Sequence, residues 1–307
     1  MRPAVVRAPA STANLGPGFD CLGLALNLHN TLEMSSIERG IQIEIEGEGA
    51  GTLPRGARNL MVRAARRVFD SVGRAPKGLF LKVTNEIPLS SGLGSSAAAV
   101  VAGLVAANTM IKNKLSPADL LRLAQDMEGH SDNAAAALFG GLNVVTTISG
   151  QPVARQVAVA GLKLVVALPQ VTISTRQMRQ ALPRRVPLGD AVFNVGRALL
   201  TVEALRTGDY DLLGIAMADR LHQRHRLRFI PAGEAAMTAA RKAGAAAVAL
   251  SGAGPSLVAF APDRHQRIAK AMTRTFKSAG LNVRTFVLDI EAEGARAVQP
   301  NEGASAR

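Results

Sequence analysis

The sequence predicts an α+β protein built as two domains, on three observations. A chain of 307 residues with 48% apolar side chains is long for one compact core and has enough apolar surface to fill two. Short β-branched runs alternate with helical stretches, most clearly from Pro231 onward, which is the pattern of a sheet covered by helices. In the first half, a strand-like segment runs into an alanine-rich helix through PLSSGLGSSAAA, residues 88–99, a turn of glycine and serine.

Taken in order, residues 2–9 and 20–47 read as strands, interrupted by a loop from Ser11 to Phe19 whose Asn14, Gly16, Pro17 and Gly18 are turn formers. Arg58 to Val72 is an amphipathic helix with Leu60, Ala64, Ala65, Val68 and Phe69 on one face and arginines on the other. Gly78 to Ile87 alternates like a strand, and Ser95 to Met110 has helical composition. Ser116 opens a further helix, with proline first and Asp119 in the capping-box place, and Gly129 ends it. A short alanine helix within His130 to Gly141 and a strand from Leu142 to Ile148 close the first half. The boundary falls in residues 151–161, dividing the chain into 1–155 and 156–290.

The second half begins with a strand at 162–168 and a helix from Ser174 to Leu182 stopped by Pro183. A long helix follows over Asp190 to Arg206, with more helix to about Leu221. Then come a helix from Pro231, a strand at 246–250, the glycine turn SGAGPS, a strand at 257–260, a helix at 264–279 and a strand at 283–288. Residues 291–307 are small, polar and glycine-rich, and disorder is expected there.

Composition narrows the function. The formal charge is +13, but one tyrosine, no tryptophan and scattered arginines argue against a nucleic-acid surface. A basic chain also attracts small anions, although a solvated basic surface carries the same charge. No apolar run is long enough to cross a membrane, and the N-terminal residues lack the apolar stretch of a signal peptide. A cytoplasmic protein is expected. The single cysteine, Cys21, has no partner for an internal disulfide, and no cysteine spacing suggests zinc.

The turn at 88–99 suits an anion. Gly92 and Gly94 leave room for close approach of a ligand, and Ser95 and Ser96 stand where a helix start presents free N–H groups. An ordinary capped loop has the same ingredients. The stretch is neither a Walker A loop, which ends in GKS or GKT, nor a dinucleotide fingerprint.

Three motifs in order resolve this choice: APASTANLGPGFD at 8–20, PLSSGLGSSAAA at 88–99 and ALSGAGPS at 249–256. Together they resemble the GHMP small-molecule kinases, and within that superfamily the branch that phosphorylates homoserine. The resemblance implies an N-terminal α+β domain with a left-handed βαβ crossover, a C-terminal ferredoxin-like domain, and an active site in the cleft between them. It implies ATP and Mg2+ as cofactors, L-homoserine as substrate and a possible homodimer. Nucleotide contacts fall on Asn59, Pro88, Leu89, Ser90, Ser91, Gly92, Leu93, Gly94, Ser95, Ser96, Ala97 and Ala98. Asn59 also reads simply as the N-cap of its helix. Magnesium falls to Ser96 and to Glu128, which stands only two residues before His130 where many relatives have a longer insertion; Asp126 is the alternative.

For a substrate carrying an ammonium, a carboxylate and a hydroxyl, the resemblance supplies Asn14, Asp20, His130, Asn133, Thr175, Arg179 and Arg226, the two arginines suiting a carboxylate through their planar fork. Ser96, Glu128, Asn14 and Asp20 form the catalytic set, with no dedicated carboxylate base. His130 reads either as a base or as a structural hydrogen-bonder. The turn at 251–256 reads as backbone brought to the cleft or as a plain hairpin. A mevalonate, shikimate or sugar kinase and a non-catalytic relative are the rival readings.

Overall fold

The computed structural model describes residues 1–299. Its first sheet begins with β1 (Ala4–Ala13), paired antiparallel along β2 (Leu22–Ile37). The stretch 20–47, read as strand without an internal division, holds two strands, β2 and β3 (Gly40–Gly47), and they are not neighbours. After α1 (Leu60–Ser71), β4 (Gly78–Asn85) inserts between them, antiparallel to β2 and parallel to β3, which makes β3–α1–β4 a crossover unit.

Next come α2 (Ser95–Met110), α3 (Pro117–Glu128) and α4 (Asp132–Phe139). The helix α2 is apolar on nearly every side because it is packed all round, against α1, α3, α4 and the sheet. The capping box before α3 forms as expected: the Asp119 amide donates to the Ser116 hydroxyl at 3.2 Å, and the Ser116 amide to the Asp119 carboxylate at 3.0 Å. β5 (Leu142–Ile148) pairs with the start of β2 and forms a hairpin with β6 (Gln151–Val157). The strand β6 is polar and half-exposed, so its sequence reads as a connection, and the expected division at residue 155 falls inside it.

The second sheet has the strand order β10-β7-β9-β8, all antiparallel. Its elements are β7 (Lys163–Pro169), α5 (Thr175–Gln180), α6 (Leu188–Thr207), α7 (Tyr210–Ala216), α8 (Gln223–Leu227), α9 (Gly233–Ala243), β8 (Ala247–Leu250), β9 (Leu257–Phe260), α10 (His265–Ser278) and β10 (Val283–Asp289). Counted from β7 the order is 4-1-3-2, that of a ferredoxin-like sheet, with α9 and α10 packed on it. The five-residue α8 was not legible, since QRHRL has no apolar period.

The expected disorder from residue 291 does not hold over 291–299. The chain leaves β10, returns to the first sheet, and ends in β11 (Arg296–Ala297), paired with β1. The Glu291 amide donates to Ala25 O at 3.1 Å and its carboxylate lies 2.8 Å from His29 Nε2, while Gly294 packs against the Leu138 carbonyl where a side chain would collide. A small, glycine-rich segment is here the requirement for close backbone packing. Residues 300–307 of that expectation lie outside the described residues.

Candidate active site

The three motifs meet where the two sheets face each other. The turn between β1 and β2, the loop between β4 and α2, and the turn between β8 and β9 are joined through backbone. Ser11 N donates to Leu93 O at 3.0 Å, Gly252 N to Ala13 O at 3.1 Å and Ser256 N to Ser91 O at 3.1 Å. The Ser251 hydroxyl donates to Gly92 O at 2.7 Å and meets the Thr12 hydroxyl at 2.9 Å. The fit requires glycine at two positions. A Cβ on Gly94, which has φ +68°, would stand 2.1 Å from Ser11 Oγ, and one on Gly92, at φ +80°, would stand 2.4 Å from Ser251 O.

Two cavities open on this loop. The first, about 200 Å³, is lined by Asn14, Asp20, Glu128, His130, Asp132, Asn133, Thr175, Arg179 and Arg226, by the loop from Ser90 to Ala97 except Leu93, and by Gly252 and Ala253. The second, about 330 Å³, is mostly apolar, with Ile45, Leu53, Pro54, Leu60, Met61, Val83 and Leu89 around Asn59. Ser90, Ser95 and Ser96 line both. A molecule with an apolar planar end and a charged end can therefore lie across the start of α2 and reach a partner in the first cavity.

In the first cavity charges are held in pairs. Arg179 donates to both oxygens of Asp20 at 2.9 and 3.0 Å, and these bonds raise its pKa further. Asp20 sits in the left-handed region, and its amide donates to Asn14 Oδ1 at 3.0 Å. Asn14, also left-handed, donates through Nδ2 to Gly252 O at 2.9 Å. His130 Nδ1 lies 3.0 Å from Asp132, and that hydrogen bond raises the histidine's pKa. Asn133 accepts from the Ser11 hydroxyl at 2.9 Å. The Ser96 hydroxyl donates to Glu128 at 2.6 Å, so the short spacing before His130 does not hold the glutamate away. Asp126 instead pairs with Arg122 outside the cavity.

Arg226 is different. It is 2% exposed, donates to Gly252 O at 3.0 Å, stacks on Phe19 at 5.1 Å, and has no ion-pair partner among the described residues. Burial, and then the charge of Arg179, lower its pKa to about 10, so it remains a cation at neutral pH and lacks a counter-anion. Its orientation is fixed from behind. His222 Nε2 donates to Gly16 O at 2.7 Å, which leaves Nδ1 of the neutral ring as acceptor for Arg226 at 3.3 Å. Asp219 accepts from the amides of Leu221, His222 and Gln223 and from Asn194 Nδ2, and so holds the start of α8.

Three expected contacts fall elsewhere. Leu93 and Ala98 are packed in the core, and Pro88 lines neither cavity, because the loop anchors itself with its apolar side chains and offers its serines and backbone. Asn59 is the N-cap of α1, accepting from Met61 N at 2.9 Å, and it also lines the apolar cavity. Asp132, Asn194, Asp219 and His222 were missed as site residues. The run HSDN carried a signal for the first, whereas Asn194 lies on α6 and Asp219 and His222 on the segment between α7 and α8, whose approach to the turn at 14–20 has no local trace.

Residues 59–141 match the GHMP kinases N terminal domain and residues 201–278 the GHMP kinases C terminal domain, and the chain belongs to the GHMP kinases. Among relatives, the homoserine kinase of Moorella thermoacetica is 48% identical over 278 residues, covering 90% of this chain and 94% of that one. The homoserine kinase of Synechococcus sp. is 44% identical over 296 residues, covering 94% of each chain. The crystal structure of homoserine kinase from Cytophaga hutchinsonii superposes with a TM-score of 0.88 at 31% identity, covering 97% of this chain and 98% of that one. Within the superfamily, the chain is a member of the homoserine kinase family.

Proposed function

We propose that the protein transfers the γ-phosphoryl group of ATP to the side-chain hydroxyl of L-homoserine, forming O-phospho-L-homoserine on the way to threonine. The observation that carries this reading is the continuity of an apolar cavity and a charge-paired cavity through Ser90, Ser95 and Ser96. The nucleoside lies among Leu53, Leu60, Met61 and Leu89 beside Asn59, its phosphates cross the loop, and the acceptor lies beyond.

A zwitterionic acceptor matches the charges. Its ammonium replaces Arg179 on Asp20, its carboxylate replaces Asp20 on Arg179, and the same carboxylate supplies the counter-anion that Arg226 lacks. Asn14, Asn133, Thr175 and His130 offer neutral or switchable hydrogen-bonding groups around the hydroxyl. Ser96 and Glu128 form a hard-oxygen pair, exposed to the cavity and suited to magnesium that arrives on the nucleotide with several of its waters. An ion held there would supply neutralisation of charge on the phosphoryl oxygens.

The three carboxylates lining the cavity each have a partner: Asp20 with Arg179, Asp132 with His130, and Glu128 with Ser96. No carboxylate of the cavity is left unengaged among the described residues, and in this reading the hydroxyl proton passes to the phosphoryl group while rate comes from positioning and charge stabilisation; His130, whose Nδ1 is held by Asp132, is the one remaining candidate base. Coupled ATP consumption with a panel of acceptors tests the reading. Homoserine is expected to turn over far faster than mevalonate, shikimate or a hexose; an equal or reversed preference removes it.

A further inference from the structure

A guanidinium carries one N–H on Nε and two on each Nη, and at Arg226 most of these are already engaged. Nε donates to Met178 O at 3.5 Å, while Nη1 faces two acceptors, Gly252 O at 3.0 Å and His222 Nδ1 at 3.3 Å. Nη2 has no hydrogen-bond partner among the described residues, and the side chain lines the charged cavity. The planar two-nitrogen fork expected of this arginine is therefore not what it presents. It offers a single nitrogen, end-on, and the group that holds Nη1 decides which nitrogen that is.

His222 is suited to hold it. The ring is sealed at 0% exposure, and each of its nitrogens meets a partner with only one role. Gly16 O, 2.7 Å from Nε2, can only accept, and the Arg226 guanidinium can only donate. Both partners demand the same state, a neutral ring with its proton on Nε2. Asp219 Oδ2, 3.7 Å from Nε2, favours a second proton on the ring, but the Asp219 carboxylate already accepts from the amides of Leu221, His222 and Gln223 and from Asn194 Nδ2. Burial first, and the charge of Arg226 in addition, hold the ring's pKa below its ordinary value. The Phe19 ring lies 5.2 Å from the imidazole and 5.1 Å from the guanidinium carbon, and fills the space beside both.

We propose that His222 is a positioning residue for the acceptor's carboxylate: by accepting from Nη1, it turns Arg226 so that Nη2 alone faces the cavity. This rests on the reading of the acceptor as an amino acid with a free carboxylate. Without an acceptor at Nδ1 the guanidinium can turn away, and the carboxylate meets a donor that must be ordered at the moment of binding. The nucleotide, held across the loop at Ser90, Ser95 and Ser96, does not depend on this contact.

Two substitutions separate positioning from support of the fold. His222→Phe keeps the ring's packing on Phe19 and removes both nitrogens, whereas His222→Asn restores an acceptor where Nδ1 stood and still leaves Gly16 O without its donor. Steady-state kinetics of the full chain is expected to show KM for homoserine raised about tenfold or more in His222→Phe, with kcat within about threefold and KM for ATP unchanged. Most of that increase is expected to be recovered in His222→Asn, although both variants should unfold at a lower Tm. His222→Gln, which reaches Gly16 O but places no acceptor at Nδ1, carries the same expectation as His222→Phe and replaces it if the phenylalanine variant does not fold. An equal rise in both His222→Phe and His222→Asn, a loss shared by ATP, or a wild-type KM for homoserine in folded His222→Phe or His222→Gln overturns the proposal. Wild-type turnover of homoserine in the same assay tells the two claims apart: where it is present, an unaltered variant removes the role of His222 alone, and where it is absent, the reading of the acceptor falls as well.

Discussion

The two cavities that meet at Ser90, Ser95 and Ser96 select by different physics. The apolar one is walled by Ile45, Leu53, Leu60, Met61 and Val83, side chains contributed by β3, β4, the segment before α1 and α1 itself, and it recognises by shape and area. The other is walled by Asp20, Asp132, Arg179 and Arg226, brought from the β1–β2 turn, α4, α5 and α8, and it recognises by charge. An apolar wall tolerates exchange of one side chain for another of similar volume. A network of paired charges, with Asp132 and Arg226 buried and Asp20 and Arg179 half-buried, does not, because removing one member leaves the others uncompensated. Substitutions in the charged cavity should therefore change catalysis sharply, and those in the apolar one should change nucleotide affinity modestly.

The largest effect is expected at Ser96, on the shared wall, and at its partner Glu128 in the charged cavity. Glu128→Gln or Ser96→Ala should lower kcat on the order of 10² to 10³, the loss that follows removal of one preorganised group at developing charge. Homoserine binding, measured calorimetrically, should be nearly unchanged. If homoserine binding disappears while ATP–magnesium binding stays intact, the loop belongs to the acceptor and the division between the cavities fails.

Next come the arginines. Arg226→Ala or Arg179→Ala should cost about 1.5–3 kcal/mol, the worth of a hydrogen bond to a charged group. This corresponds to about tenfold to a hundredfold in kcat/KM for homoserine. An acceptor analogue with a neutral group in place of the carboxylate should lose little further in either variant, since the missing bond cannot be lost twice. Equal losses with both acceptors would make these arginines structural.

In the apolar cavity, Asn59→Ala should destabilise the protein by about 1 kcal/mol through the lost helix cap. If Asn59 also contacts the nucleoside, KM for ATP rises severalfold with kcat steady. A fall in Tm alone would reduce it to a cap.

The smallest effect concerns pH. His222 and His29 are held neutral chiefly by burial, their pKa values lowered from 6.5. Below about pH 6.5 the unfolded chain takes up protons that the folded one refuses, so stability falls as pH drops through that window. His130 works in the opposite direction. Raised by its bond to Asp132, it adds stability that is full below pH 6.5 and lost as pH rises through its folded value. The difference in Tm between pH 7 and pH 5 should thus shrink in His29→Gln and grow in His130→Gln. The reverse ordering would mean that the His29–Glu291 contact, 2.8 Å long, forms as a charged pair and outweighs burial.

Local signals were enough for much of this protein. The helix of residues 58–72, the capped helix opened by Ser116, and the loop of glycines and serines between β4 and α2 each carry their pattern within a few residues. Capping, periodicity and turn chemistry are short-range physics. The order of the motifs pointed to the kinase superfamily, and with it to Ser96, Glu128, Asp20 and the two arginines, all of which line one cavity.

What only the tertiary structure decided depends on contacts between distant segments. Gly40, at φ +78°, marks the break between β2 and β3, but no residue in that stretch records that β4 inserts between them. The strap at 291–299 looks disordered by composition, yet it is ordered because its small residues let backbone lie against β1, β2 and α4. Likewise, Asn194, Asp219 and His222 carry no local sign of a role until α6 and the segment leading into α8 pack against the turn at 14–20, where their hydrogen bonds hold Arg226 in place. A polar side chain acquires its role from the partner it meets, and here those partners are as many as 206 positions away along the chain.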